Sequence, residues 1–178
     1  MILKEARLHF FLHDHQHIVP LTGISFGLKN EIYFVMPDLS PSLLDFLKST
    51  PNIPLSQKWT IAKEIATGMA ALHSMKILHH DLRASNVLLG PPPRRCQITD
   101  FGLSKEETSY MKSSMSGNPM WLAPEYAGGG KYTTACDVYS FGVLLYEVVS
   151  GGKTPLRVDS FLRCMMRRRG ERVWFGLI

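Results

Sequence analysis

The stretch His79-His80-Asp81-Leu82-Arg83-Ala84-Ser85-Asn86, followed at Asp100-Phe101-Gly102 by a second acid, decides how this chain reads. Between the two lie short apolar runs at residues 87–89 and 96–99, separated by Pro91-Pro92-Pro93-Arg94-Arg95. Proline lacks the N–H that a helix interior or central strand requires, so this interruption predicts a hairpin with a stiff, solvated tip. Asp81, Asn86 and Asp100 then sit at the mouths of that hairpin.

Working outward, residues 56–73 place Trp59, Ala62, Ile65, Ala66, Met69 and Leu72 at three-and-four spacing. That period predicts a helix with one buried face, with Ser56 as its N-cap. Residues 43–48 read as a short helix. Residues 21–26 and 32–36 are rich in β-branched and aromatic side chains and flank Lys29-Asn30, which predicts paired strands around a turn. Residues 4–13 look helical, although histidines weaken the period. Downstream, residues 105–117 are polar and aperiodic, as in an exposed loop. At Thr134-Ala135-Cys136-Asp137 a hydroxyl cap and an acid precede Phe141, Leu144, Leu145 and Val148, and Gly151-Gly152 closes the run. A second buried helix is expected there. No internal repeat and no domain boundary appear before the tail.

With 178 residues, 45% hydrophobic and 20% charged, the chain has the composition of a folded domain. Its net charge of +5 is concentrated: residues 163–172 hold five arginines and one glutamate, leaving +1 elsewhere. A broadly basic surface is absent, so no nucleic-acid partner is expected, and the terminal arginines read as a solvated run. Cys96, Cys136 and Cys164 form neither a C-x-x-C pair nor an even framework, which suits a reducing, cytoplasmic compartment. No apolar run approaches the roughly eighteen residues of a membrane span, and Lys4 and Glu5 interrupt the start too early for a signal peptide. His9, His13, His15 and His17 read as surface or capping residues before they read as a metal site.

Two carboxylates and an amide at one hairpin end are the side chains that phosphoryl transfer requires. One carboxylate orients an attacking hydroxyl and takes its proton; an amide oxygen and a second carboxylate hold magnesium against phosphates. A metal-dependent phosphohydrolase built on His73, His79, His80, Asp81 and Asp100 is a rival, but leaves Asp100-Phe101-Gly102 and Ala123-Pro124-Glu125 unexplained.

These motifs resemble the eukaryotic protein kinase family. Asp81 to Asn86 is similar to its catalytic loop, Asp100-Phe101-Gly102 to its magnesium motif and Ala123-Pro124-Glu125 to the end of its activation segment; Asp137-Val138-Tyr139-Ser140-Phe141-Gly142 is similar to the start of its central helix. The resemblance implies an α+β, protein-kinase-like fold, mostly the helical lower lobe. Residues 1–36 would be an upper-lobe remnant, 37–40 the hinge, 41–152 the lower lobe and 153–178 a non-matching basic tail.

The same resemblance implies ATP and magnesium as cofactors and a protein substrate. Asp81 would be the catalytic aspartate, with Arg83 near the γ-phosphate, and Asn86 and Asp100 the magnesium ligands. Met36 would be the gatekeeper, Pro37 and Leu39 would offer adenine a carbonyl and an N–H, and Leu88 would pack on the ring. Asp137 reads as a helix cap or, by the resemblance, as the group that holds the catalytic loop's backbone. His80 stands where the family commonly has an arginine that pairs with an activation-loop phosphate. Within residues 100–125, Thr108, Ser109, Tyr110, Ser113, Ser114 and Ser116 would be candidate phosphoacceptors.

Arg83 and Trp121 are similar to their counterparts in the tyrosine-kinase and tyrosine-kinase-like groups, so the acceptor hydroxyl, Ser/Thr or Tyr, is open. The family's glycine-rich loop and strand lysine would fall upstream of Glu5, itself a candidate partner for that lysine. The 178 residues therefore resemble a domain cut at both ends, expected to transfer little phosphate alone. A catalytically inactive, kinase-like interaction module is the alternative.

Overall fold

A computed structural model describes residues 12–28, 31–91, 95–106, 118 and 120–155. Outside the described residues lie most of the helix expected at 4–13, with Glu5 and His9, the turn at 29–30, the tip at 92–94, the candidate phosphoacceptors of 107–117 and the tail from 156.

Strands β1 (Gly23–Phe26) and β2 (Ile32–Val35) form an antiparallel hairpin in which Gly23 faces Val35 and Phe26 faces Ile32. Residues 36–40 then lead to α1 (Leu43–Ser49), whose N-cap Ser42 accepts the Asp45 N–H through its hydroxyl. Helix α2 (Leu55–Ser74) follows, then β3 (Ile77–Leu78), a 3₁₀ turn at Ala84–Asn86, and the antiparallel pair β4 (Val87–Leu89) and β5 (Cys96–Ile98). Beyond them lie β6 (Lys105–Glu106), the short helix α3 (Pro124–Ala127) and helix α4 (Thr134–Ser150). Gly151 ends α4 in the left-handed conformation (φ 73°) that glycine adopts without steric cost.

The structure corrects several local expectations. Helix α2 is capped by Pro54, not Ser56, and Trp59 and Ala66 point to solvent while Ile61 and Gly68 join Ile65, Met69 and Leu72 inside. The face is rotated because α2 packs where Gly68 lets another backbone approach, which an apolar count cannot register. Cap and face shift on α4 as well: Thr133 is the N-cap, and the buried face carries Val143, Leu144, Glu147 and Val148. Lys105 and Glu106, expected in a loop, pair with Leu78 and Ile77. Two-residue strands have no period to detect.

Helices α2 and α4 run antiparallel. Lys58 Nζ near the start of α2 donates to the Val149 carbonyl at 2.9 Å, while His73 at its end meets Asp137 in the first turn of α4. One core cluster holds Ile61, Ile65, Leu72, Val87, Ile98, Phe101, Leu144 and Val148; a second holds Leu78, Leu122, Ala123, Tyr126, Tyr132 and Cys136. Residues 17–19 run along β5: Ile98 N–H donates to the His17 carbonyl and Val19 N–H to the Ile98 carbonyl, both at 2.9 Å. No helix among the described residues is long and apolar enough to cross a membrane.

A Cβ at Gly68 would lie 2.9 Å from the His17 carbonyl oxygen and 2.8 Å from Ile98 Cδ1, whereas a Cβ at Gly142 in α4 meets nothing within 4 Å. Gly68→Ala is therefore expected to destabilise, because overpacking costs about 1–3 kcal/mol against roughly 1 kcal/mol of helix propensity gained. Gly142→Ala should stabilise by about 0.5–1 kcal/mol. Urea unfolding of the two variants beside the wild type checks the contrast.

Candidate active site

The loop at residues 79–86 is held from below by one buried carboxylate. Asp137, 1% exposed, accepts the His79 N–H at 2.9 Å on Oδ2 and the His80 N–H at 3.1 Å on Oδ1. Tyr132 donates its hydroxyl to Oδ1 at 2.6 Å, and His73 Nε2 donates to Oδ2 at 2.9 Å. Burial alone would raise the pKa of this acid, but the hydrogen bonds from His73, Tyr132 and the His79 backbone hold it below the usual carboxylate range. The loop turns sharply above this anchor, with His80 at φ 70°, a left-handed conformation that costs energy in any residue with a Cβ.

Both His79 nitrogens are used. Nδ1 accepts the Asp81 N–H at 3.2 Å, so Nε2 carries the proton it donates to the Thr99 carbonyl, also at 3.2 Å. Burial lowers the pKa of this ring against the opposing pull of Asp137, keeping the imidazole neutral. Phe101 packs near it, with ring centroids 5.4 Å apart, and Ser104 donates to the His79 carbonyl. The segment after Asp100 is thus seated under the loop, and its β3–β6 pairing continues that seat. His80 is 2% exposed and stacks on Tyr132, with centroids 3.6 Å apart and planes 18° from parallel.

Asp81, Asn86 and Asp100 converge. Asn86 Nδ2 donates to the Asp81 carbonyl at 2.8 Å and to Asp81 Oδ2 at 2.9 Å, and reaches Asp100 Oδ2 at 3.5 Å. The Asn86 backbone N–H meets the Arg83 carbonyl, and its own carbonyl receives the Thr99 N–H. Asp100 has φ 63°, a second strained residue at the same point. Arg83 Nε lies 3.7 Å from Asp81 Oδ2. Asp81 Oδ1 is buried and takes no hydrogen bond among the described residues. A buried carboxylate oxygen without a donor is costly unless something else completes it.

The remaining candidates lie on the linker side. Leu88 is half-buried and bridges to Ser42, and Leu89 N–H donates to the Pro41 carbonyl at 3.1 Å, so β4 runs beside the end of the linker. Met36 is 39% exposed, and Pro37 and Leu39 are half-buried. Among the described residues the Pro37 carbonyl and the Leu39 N–H have no partner.

Two residues of the site, Glu147 and Tyr132, are not singled out by the sequence, and His73, a ligand in the rival reading, is instead a partner of Asp137. Glu147 did carry a signal, an acid inside the apolar run at residues 143–149. The phosphohydrolase rival loses support: His73 is bound to Asp137 and His79 to Thr99, and the described residues hold no metal-sized group of three histidines, cysteines or acids.

Asp137→Asn should destabilise the fold by about 1–3 kcal/mol for each buried donor it leaves without an acceptor. In the wild type the lowered pKa of Asp137 contributes stability that is complete above about pH 4 and is lost as pH falls through the lower folded value. Unfolding free energies measured from pH 7 to pH 2 should show that acid limb shrink in the variant.

The model of the protein tyrosine and serine/threonine kinase family matches residues 1–172. The match thus runs past residue 152, where the motifs end, into the basic stretch. A curated relative, the RasGEF domain-containing serine/threonine-protein kinase X of Dictyostelium discoideum, is 36% identical over 153 residues, which cover 84% of this chain and 16% of the relative. The chain therefore spans less than a fifth of that relative's length. With a family match over nearly all its residues and this level of identity, the chain belongs to the protein tyrosine and serine/threonine kinase family.

Proposed function

We propose that these residues form the lower part of an ATP-dependent protein kinase that transfers the γ-phosphate of ATP to serine, threonine or tyrosine hydroxyls. Residues 1–36 belong to the upper lobe, 37–40 link the lobes and the lower lobe begins at 41. Arg83 and Trp121 support affiliation with the tyrosine-kinase and tyrosine-kinase-like groups. The observation that carries the reading is the convergence of Asp81, Asn86 and Asp100, with one buried Asp81 oxygen lacking a donor among the described residues.

Two carboxylates and an amide are a hard-oxygen donor set that fits magnesium, a cation that keeps several waters and takes one or two carboxylates besides phosphate. Asn86, through its amide oxygen, and Asp100 would hold it; when bound it neutralises charge on the phosphates. The protein's own groups do the rest. Asp81 Oδ1 accepts the hydrogen bond of the acceptor hydroxyl, orients it and takes its proton. Arg83 sets a fixed positive charge beside that carboxylate, where the transferred group is most negative. The Pro37 carbonyl and the Leu39 N–H pair with the adenine edge, Leu88 packs on the ring and Met36 is the gatekeeper.

In the longest protein that carries these residues, Asp81→Asn should lower kcat about 10²–10⁴-fold, the span of general acid–base catalysis, with little change in KM for ATP. Asp100→Asn should shift the magnesium dependence as well. Radiolabelled phosphate transfer to a mixed serine, threonine and tyrosine peptide library measures both. Unchanged turnover in both variants overturns the reading, and a wild type that folds but never transfers phosphate favours a binding module. The 178 residues alone contain no G-x-G-x-x-G loop, so they should transfer little or no phosphate.

A further inference from the structure

Glu147 is 1% exposed in the middle of an apolar helical run, a costly place for an acid. A single carboxylate oxygen, Oε2, accepts two donors from different parts of the chain: the Ala84 N–H at 3.0 Å and the Trp121 indole N–H at 3.1 Å. Ala84 opens the 3₁₀ turn directly after Arg83. Trp121 lies just before α3 and presents its ring to the Arg83 guanidinium, whose carbon is 5.6 Å from the ring centroid. Arg83 Nε in turn is 3.7 Å from Asp81 Oδ2.

Arg83 is therefore fixed from two sides by the same oxygen. Its backbone is restrained through the following N–H, and its side chain rests on an indole held in place by the other hydrogen bond. Ser140, nearly two helical turns into α4, adds a third restraint by donating its hydroxyl to the Trp121 carbonyl at 2.8 Å. An arginine side chain has several rotatable bonds, so a charge aimed at one point needs a platform.

We propose that Glu147 is a positioning residue for phosphoryl transfer, which clamps the Ala84 backbone and the Trp121 indole so that Arg83 keeps its charge beside Asp81. The inference rests on the reading of Asp81 and Arg83 given above. Glu147 touches no substrate; it acts through Trp121 and Arg83. Burial raises its pKa, while the Ala84 and Trp121 hydrogen bonds and the charges of Arg83 and Lys48 pull it down, in keeping with an acid held inside for its acceptor oxygen.

The test uses Glu147→Gln, whose amide oxygen can still accept both donors, and Glu147→Leu, which cannot. In the longest protein carrying these residues, Glu147→Leu should lower kcat roughly tenfold to a hundredfold with KM for ATP unchanged, the scale of a small misplacement at a reacting centre. Glu147→Gln should restore most of that loss. The effects of Glu147→Leu and Arg83→Ala should not multiply in the double variant, because the first already removes what the second deletes. Should Glu147→Leu fail to fold, Trp121→Phe, which deletes the indole N–H, should give the same kcat loss.

A second arm needs no activity. With Trp59 and Trp174 replaced by phenylalanine, acrylamide quenching of Trp121 fluorescence should rise in Glu147→Leu and stay low in Glu147→Gln. Wild-type kcat in both Glu147→Leu and Trp121→Phe, or fully multiplicative effects with Arg83→Ala, would overturn the proposal. Unchanged quenching in Glu147→Leu would overturn the clamp itself. A wild type without transfer but with the expected quenching pattern would count against the kinase reading and not against the clamp.

Discussion

The carboxylate of Asp137 is the constraint on which the rest of the structure depends. A charge this deeply buried survives only if donors replace the water it has lost, and His73, His79, His80 and Tyr132 supply them. Through those partners one side chain joins the first turn of α4 to the end of α2, to the start of the 79–86 loop and to the segment before α4. The left-handed turn at His80 follows from this anchoring, since two successive backbone N–H groups converge on the same acid.

Ten residues further along α4, about 15 Å by helical rise, Glu147 takes the Ala84 N–H. The loop is thereby gripped at both ends by one helix, His79 and His80 by Asp137 and Ala84 by Glu147, with Asp81 and Arg83 between the grips. Either acid removed alone strands buried donors, yet burying a charge is expensive even when it is paired, so stability by itself does not explain why acids stand here. What the acids provide is directional: a hydrogen bond specifies where a backbone atom sits, and an apolar contact does not. Strain at His80 and Asp100 can persist in such a frame because its surroundings determine the backbone there more strongly than local preference does.

The elements legible in the sequence were those with a local signal. The hairpin of β4 and β5 announced itself through the Pro-rich interruption, and the end of α4 through paired glycines, with its hydroxyl cap one residue earlier than the Thr134 the sequence suggests. Asp81, Asn86 and Asp100 were legible as a set because motif spacing placed them on the flanks of that hairpin, and the structure draws them within hydrogen-bond reach of one another. Less legible was the buried face of α2. Trp59 satisfies the helical period as well as Ile61 does, and only the close approach of His17 and Ile98 to Gly68 decides which of them is inside. The pairing of β3 with β6 was invisible for the same reason, since its strands are two residues each and their partners are distant in the chain.

The sequence by itself determined the family, the order of the longer elements and the chemical types at the site, because these reside in residue identity and in short, fixed spacings. Tertiary structure decided which polar groups are buried and what they hold. Asp137 could be read as a helix cap or a loop anchor until its four donors were placed around it, and Glu147 was one acid among fifteen acidic residues until Ala84 and Trp121 were found on the same oxygen. The physical reason is that a buried charge is defined by its partners, and here those partners come from segments that only folding brings together.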